Sequence, residues 1–234
     1  MSEIARLTGA FFEPKKAFAD IAARPRWIVP LLVIMVASIG LASFFNQKGV
    51  MRIAAEQQMA KNQQLQQLPP EQREQRIEVG MKFANMISYA IPVILPMMYL
   101  VMALVLWGIV SGILSAPVRF KQTFAIVTYG QLPGLLVVIM TAIILQLKSP
   151  ADFNVQNPLM FNAGAFMDPQ TANKFIYSLA SSIDLFSFWS LFLVATGLKA
   201  AAGKKLSSGG AMFAVLLPWA VLVLVKAGFA GLAG

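Results

Sequence analysis

Between Lys82 and Arg119 the chain runs for 36 residues, Phe83–Val118, without an Asp, Glu, Lys or Arg. A bilayer core of ~30 Å needs ~20 apolar residues as a helix. The run is long enough to cross and still project beyond one face. A helix of this length in water would carry a polar stripe on its outer side, and this stretch has none. It reads as a transmembrane helix, and that constrains everything else the chain can fold into.

Four more segments follow the same rule, giving expected spans at 27–45, 83–114, 123–147, 175–202 and 211–229. The predicted fold is an all-α integral membrane protein of five spans, with amphipathic N-terminal helices and an extracytoplasmic helical insertion. Pro92 and Pro96 should kink the second span, and Pro133 should interrupt the third, because each removes a backbone donor. Only 12% of the chain is charged, about half the usual share of a soluble domain.

The net charge of +9 does not point to nucleic acid, since the basic residues sit in short groups beside apolar runs. That placement is topology and headgroup chemistry. There is no Cys and no His. Cys/His metal sites and Ser-His or Cys-His catalytic pairs are therefore excluded. No catalytic, cofactor-binding or metal-binding residues are expected, no cofactor, and no enzymatic activity.

Residues 1–26 precede any span. Ile4, Leu7 and Phe11 recur at helical spacing, Pro14 interrupts, and Ala17, Phe18 and Ile21 continue an apolar face. The expectation is two short amphipathic helices lying in the membrane interface with their basic residues toward headgroups. Residues 46–82 differ in kind, with eight glutamines between Gln57 and Gln75, among them Gln63, Gln64 and Gln66, and a break at Pro69-Pro70. Two polar helices are expected here, the second running into the long span. Residues 148–173 form a loop with Pro150, Pro158 and Pro169. Its apolar residues, Phe153, Leu159 and Phe161 among them, should fold it back onto the membrane or the protein.

Lys and Arg mark cytoplasmic loops. Segments 1–26, 115–122 and 199–210 hold five, two and three of them, against one in 148–173. The six in 46–82 oppose this assignment but are spread over a longer segment. The expected orientation has the N-terminus in the cytoplasm and the C-terminus outside.

Two constellations stand out. Gly108 and Gly112 form one G-x-x-x-G, and Gly130 and Gly134 form another. Small residues four apart let helix backbones approach, and counting from the turn places Gly108 near Gly130. The second and third spans are expected to pack there, with homodimerisation the other use of such a face. Asp184 and Lys226 are charges within the last two spans, each 21 residues from a turn near residue 205. They are a candidate intramembrane polar pair, because pairing lowers the cost of an apolar setting. Gln131 and Tyr129 sit beside Pro133 and either satisfy a freed carbonyl or line a cavity.

Two segments carry a resemblance. Phe11-Phe12-Glu13-Pro14, then Phe18, then Arg24-Pro25 resembles the N-terminal segment of bacterial members of the Yip domain family. Asp184, Trp189 and Gly197 stand in a segment similar to that family's fourth-span pattern, Asp-x-x-x-x-Trp followed by Gly eight residues on. The resemblance implies five spans, a cytoplasmic N-terminus and a non-enzymatic protein that organises membrane or partner proteins. Its expected partners are the lipid bilayer and a membrane protein or a second copy, and any small-molecule or lipid substrate is left open. The other function class is a transporter or lipid-translocating protein using Asp184 and Lys226.

Overall fold

The computed structural model describes residues 1–60, 67–148, 158–168 and 171–232. Gln63, Gln64 and Gln66 of the glutamine-rich stretch, and Pro150, Phe153 and Pro169 of the loop, lie outside the described residues. Ten α-helices follow in order among the described residues: α1 Glu3–Phe12, α2 Pro14–Ala23, α3 Ile28–Gln47, α4 Val50–Ala60, α5 Pro70–Trp107, α6 Phe120–Gly130, α7 Pro133–Leu147, α8 Lys174–Ser182, α9 Leu185–Ala202 and α10 Ser208–Leu232. A π-helical turn, Gly108–Ile113, ends α5. Five helical stretches are long and apolar enough to cross a membrane: Ile28–Gln47, Pro70–Ile113, Phe120–Leu147, Leu185–Lys205 and Ser208–Leu232. The chain is an all-helical membrane protein with five candidate spans.

The helices form two compact units, one of residues 1–33, 96–137 and 160–234, the other of 34–95 and 138–159. In the first, α9 is central and packs against α2, α6 and α10. Leu193, Val194 and Leu198 of α9 meet Ile126 and Val127 of α6 in its core, all essentially buried. Burying a side chain of this size contributes roughly 1.5–3 kcal/mol in water, but between spans lipid is as apolar as the core. Close packing, not water exclusion, then sets the fit. In the second unit α4 pairs with the first turns of α5 through Arg52, which bonds Glu56 at 2.8 Å and Glu74 at 2.9 Å. Val50 and Leu145 are buried together there, with Phe44 and Phe45 against them.

Several expectations meet local physics here. In the polar segment α4 is helical to Ala60, and α5 runs without interruption from Pro70 into the long span, with Pro92 and Pro96 inside it. The third span is broken where Pro133 predicts, with Gln131 and Leu132 between α6 and α7. The fourth is shorter than 175–202. Helix α8 stops at Ser182, and α9 starts afresh at Leu185. The reason is Asp184, whose extended backbone and carboxylate start a new helix. The described residues 158–168 of the preceding loop do fold back onto the start of α9. Ala163 donates to the Ile183 carbonyl and Leu185 to the Phe161 carbonyl, both at 3.1 Å, while Phe161 meets Phe186 edge-on.

Candidate functional site at the seat of the N-terminal helices

Helix α2 presents Ala17, Phe18, Ile21 and Ala22 on one face, as the sequence spacing requires, and all four are buried. What they bury against is protein. The face lies on α9 and α6. Gly197 on α9 makes this possible: a Cβ there would stand 2.4 Å from Ile126 Cγ2 and 2.7 Å from Phe18 Cδ1. Real side chains do not approach so closely, so only glycine lets Phe18 and Ile126 reach the α9 backbone. One turn outward, Gln122 Nε2 donates to the Ala22 carbonyl at 2.8 Å.

Helix α1 behaves differently from its apolar spacing. Its buried residues are Arg6, Gly9 and Ala10, while Ile4 and Phe12 are exposed. Arg6 is 1% exposed, and charge decides the packing. Its Nε donates to Asp20 Oδ2 at 2.7 Å and its Nη1 to Glu3 Oε1 at 3.3 Å. Tyr129 of α6 donates its hydroxyl to Glu3 Oε2 at 2.7 Å. Asp20 also accepts from the Met1 amine at 3.1 Å and from Arg24. A buried guanidinium is costly unless its donors are used, and here two carboxylates take them.

Burial raises the Asp20 carboxyl, but hydrogen bonds from Arg24, Arg6 and the Met1 amine outweigh it and hold the group well below the usual carboxylate range. A carboxylate lowered in this way stabilises the fold above its unfolded value of about 4. That contribution fades only as pH falls toward the lowered folded value.

The two segments behind the family resemblance meet at this site. Phe11 stacks edge-on against Trp189, with centroids 5.6 Å apart, and Phe18 seats against Gly197. Asp184 begins α9 by accepting from the Phe186 and Ser187 amides at 2.9 and 3.1 Å. It forms no ion pair with Lys226, whose Nζ instead donates to Ser182 Oγ at 3.3 Å. The equal count from the turn thus places Lys226 within two residues of Asp184, but the carboxylate faces its own helix. Losing an N-cap costs about 1 kcal/mol. Asp184→Ala should therefore destabilise by about that much, Asp184→Asn should be nearly neutral, and Lys226→Met should add independently. Thermal unfolding of the single and double variants reads this, and a coupling beyond ~0.5 kcal/mol would mean that the charges meet.

The glycine expectation needs correction. A Cβ at Gly108, Gly112 or Gly134 would meet nothing within 4 Å, whereas one at Gly130 would stand 2.4 Å from Val194 Cγ2. Gly130 packs on the fourth span, not on the second. The cause is register. Gln131 Nε2 lies 3.7 Å from Met102 Sδ, so α5 and α6 are offset from the simple count. The π-helical turn and the irregular 114–119 segment, held by Trp107 and Ser111 bonding the Val118 carbonyl at 3.0 and 2.8 Å, account for the shift.

Sequence reasoning missed Arg6, Glu3 and Asp20; it counted only Arg6, among the five basic residues of 1–26. The available signal was a Glu3–Arg6 spacing on one helix face with Asp20 facing it from the next. Gly197 stood in the family-like segment but was given no structural role.

No curated protein and no solved structure matches the chain. A family model described as the Yip1 domain matches residues 8–229 and so takes in both segments that meet at the seat. The chain therefore belongs to the Yip1 domain family, whose members are generally non-enzymatic membrane proteins.

Proposed function

We propose that this protein organises membrane or partner proteins without catalysing a reaction, using the end of the first unit that carries α1 and α2. The observation behind this reading is that the polar side chains at the seat and at the ends of α9 bond back to the chain itself. Arg6, Glu3, Asp20 and Tyr129 tie α1 and α2 to α6, Asp184 caps α9, and Lys199 donates to the Gly203 and Leu206 carbonyls at 2.7 and 2.6 Å. The result is a platform tied together by its own bonds. Helices α6 and α9 run antiparallel, Gly130 beside Val194 and Ile126 beside Gly197. That register brings Arg119 and Lys121 to the same end as Lys204 and Lys205. With Arg24 and Arg26, which follow Ala22 at the Gln122 end of α2, they form a basic rim suited to anionic headgroups or an acidic partner. Exposed Ile4 and Phe12 on α1 supply apolar anchors.

A second reading, a transporter or lipid-translocating protein, draws on the nearness of Lys226 to Ser182 and Asp184. Purified protein in liposomes separates the two. Ion flux and scrambling of a fluorescent lipid should stay at the protein-free level, while a photo-crosslinker at Phe12 should give discrete protein adducts in membranes. Flux or scrambling abolished by Asp184→Asn would favour the second reading.

By the positive-inside rule the basic rim supports a reading in which this end faces the cytoplasm, in a bacterial inner membrane. An odd number of spans then leaves the C-terminus outside. A reporter active only outside the cytoplasm, fused after Gly234, should be active. Activity of a cytoplasm-only reporter at that site would reverse the orientation.

A further inference from the structure

The second unit contains a cavity of about 820 Å³, toward the upper end of small-molecule sites. Its long wall is one face of α5, with Gly80, Ala84, Ile87, Ile91 and Leu95 at three- and four-residue spacing. Met51 and Ala55 of α4 and Leu41 and Phe45 of α3 also line it. Arg76 lines the same cavity at the end away from Leu95.

Three features set this cavity apart from ordinary lipid-facing surface. Its apolar lining continues past the span. Gly80 and the α4 residues precede Phe83, where the charge-free run begins, on helices whose outer faces carry Arg52, Glu56, Glu74 and Glu78. The polar groups within it are already satisfied: Ser38 donates to the Ile34 carbonyl at 2.8 Å, and Ser88 contacts Met51 Sδ at 3.9 Å. Arg76, by contrast, has no ion pair among the described residues, although Arg52 pairs with Glu56 and Glu74, and Lys82 with Glu78.

The dimensions fit an amphiphile. Arg76 lies seven residues before Phe83, about 10 Å at the ~1.5 Å helical rise, which is headgroup depth or just beyond. From Phe83 to Leu95, both lining the cavity, is twelve residues, about 18 Å, enough to run the ~15 Å of one hydrocarbon leaflet, half of a ~30 Å core. A guanidinium is the side chain best shaped to hold a phosphate through two parallel bonds.

We propose that the cavity of the second unit binds one anionic phospholipid, with its phosphate on Arg76 and its acyl chain along the Gly80–Leu95 face of α5. The site belongs to the second unit and does not depend on the function proposed for the seat of the N-terminal helices.

Native mass spectrometry of the full chain with phosphatidylglycerol and phosphatidylcholine tests it. The expected result is one tightly retained lipid, with phosphatidylglycerol preferred at least threefold. Arg76→Gln should bring the preference near one without changing the melting temperature, because Arg76 is exposed, and Arg76→Lys should restore part of it. Ala84→Phe should displace the lipid of either type; if that variant does not fold, Arg76→Gln decides alone. Equal retention of both lipids, or a phosphatidylglycerol preference unchanged in Arg76→Gln, means unselective annular lipid only and overturns the proposal.

Discussion

Gly197→Leu should lower the melting temperature of the purified protein by many degrees, while Gly108→Leu and Gly112→Leu should leave it within about a degree. The three substitutions add the same side chain to glycines in spans, so their difference isolates what surrounds each one. At Gly197 even the first carbon collides with Ile126 and Phe18. Neither can retreat freely, since both are buried, Phe18 fully and Ile126 among α6 and α9 side chains. Overpacking a close-fitting site typically costs 1–3 kcal/mol and occasionally more, and Leu adds three carbons beyond the one that already clashes. Gly130→Leu should behave like Gly197→Leu, because its new Cβ would strike Val194. At Gly108 and Gly112 the space is open. Large losses at Gly108 or Gly112 with little at Gly197 would mean that the second and third spans pack through their glycines instead.

The second large effect concerns Arg6. Removing one partner of a buried ion pair costs roughly 3–5 kcal/mol, because the remaining charge is left uncompensated. Arg6→Leu should fall near the lower end, about 3 kcal/mol, since Asp20 and Glu3 retain 16% and 24% exposure and some access to water. Arg24→Ala and Arg26→Ala remove cations from the same two carboxylates, but these side chains are 57% and 71% exposed. Exposed pairs contribute 0–1 kcal/mol, so each should cost under about 1 kcal/mol. Thermal unfolding in one detergent at neutral pH compares all three. Equal effects would show that Arg6 is no more buried than its neighbours.

The sequence makes the spans legible because an unpaired charge in hydrocarbon is costly, so charge-free runs such as Phe83–Val118 have few other uses. The break at Pro133 is legible for a similar reason, as proline cannot complete the helix ladder. The destination of an amphipathic face is not. Ala17, Phe18 and Ile21 have the same spacing whether they meet lipid or α9, and only Gly197, 176 residues after Ile21, shows that a surface was cleared for them. Register is equally hidden, because the π-helical turn after Trp107 shifts Gly108 away from Gly130 without a proline or charge to announce it. Asp184 was ambiguous in a different way. An Asp at the edge of an apolar run serves equally as a helix cap or an ion-pair partner, and the choice depends on whether the helix starts there. The start was obscured by the apolar residues of α8, which extend the run backward to Phe175.

The account rests on α2 being built into the protein rather than floating in the interface. Because the chain has no Cys, single cysteines read this directly. Ala17 is fully buried against protein, and a thiol there is a small addition. In native membranes Ala17→Cys should resist both a charged maleimide and the membrane-permeant N-ethylmaleimide until the protein is unfolded, while Phe12→Cys, at an exposed position of α1, should react with the permeant reagent. Rapid reaction of Ala17→Cys with N-ethylmaleimide in the folded protein would place α2 on the membrane surface and contradict the account.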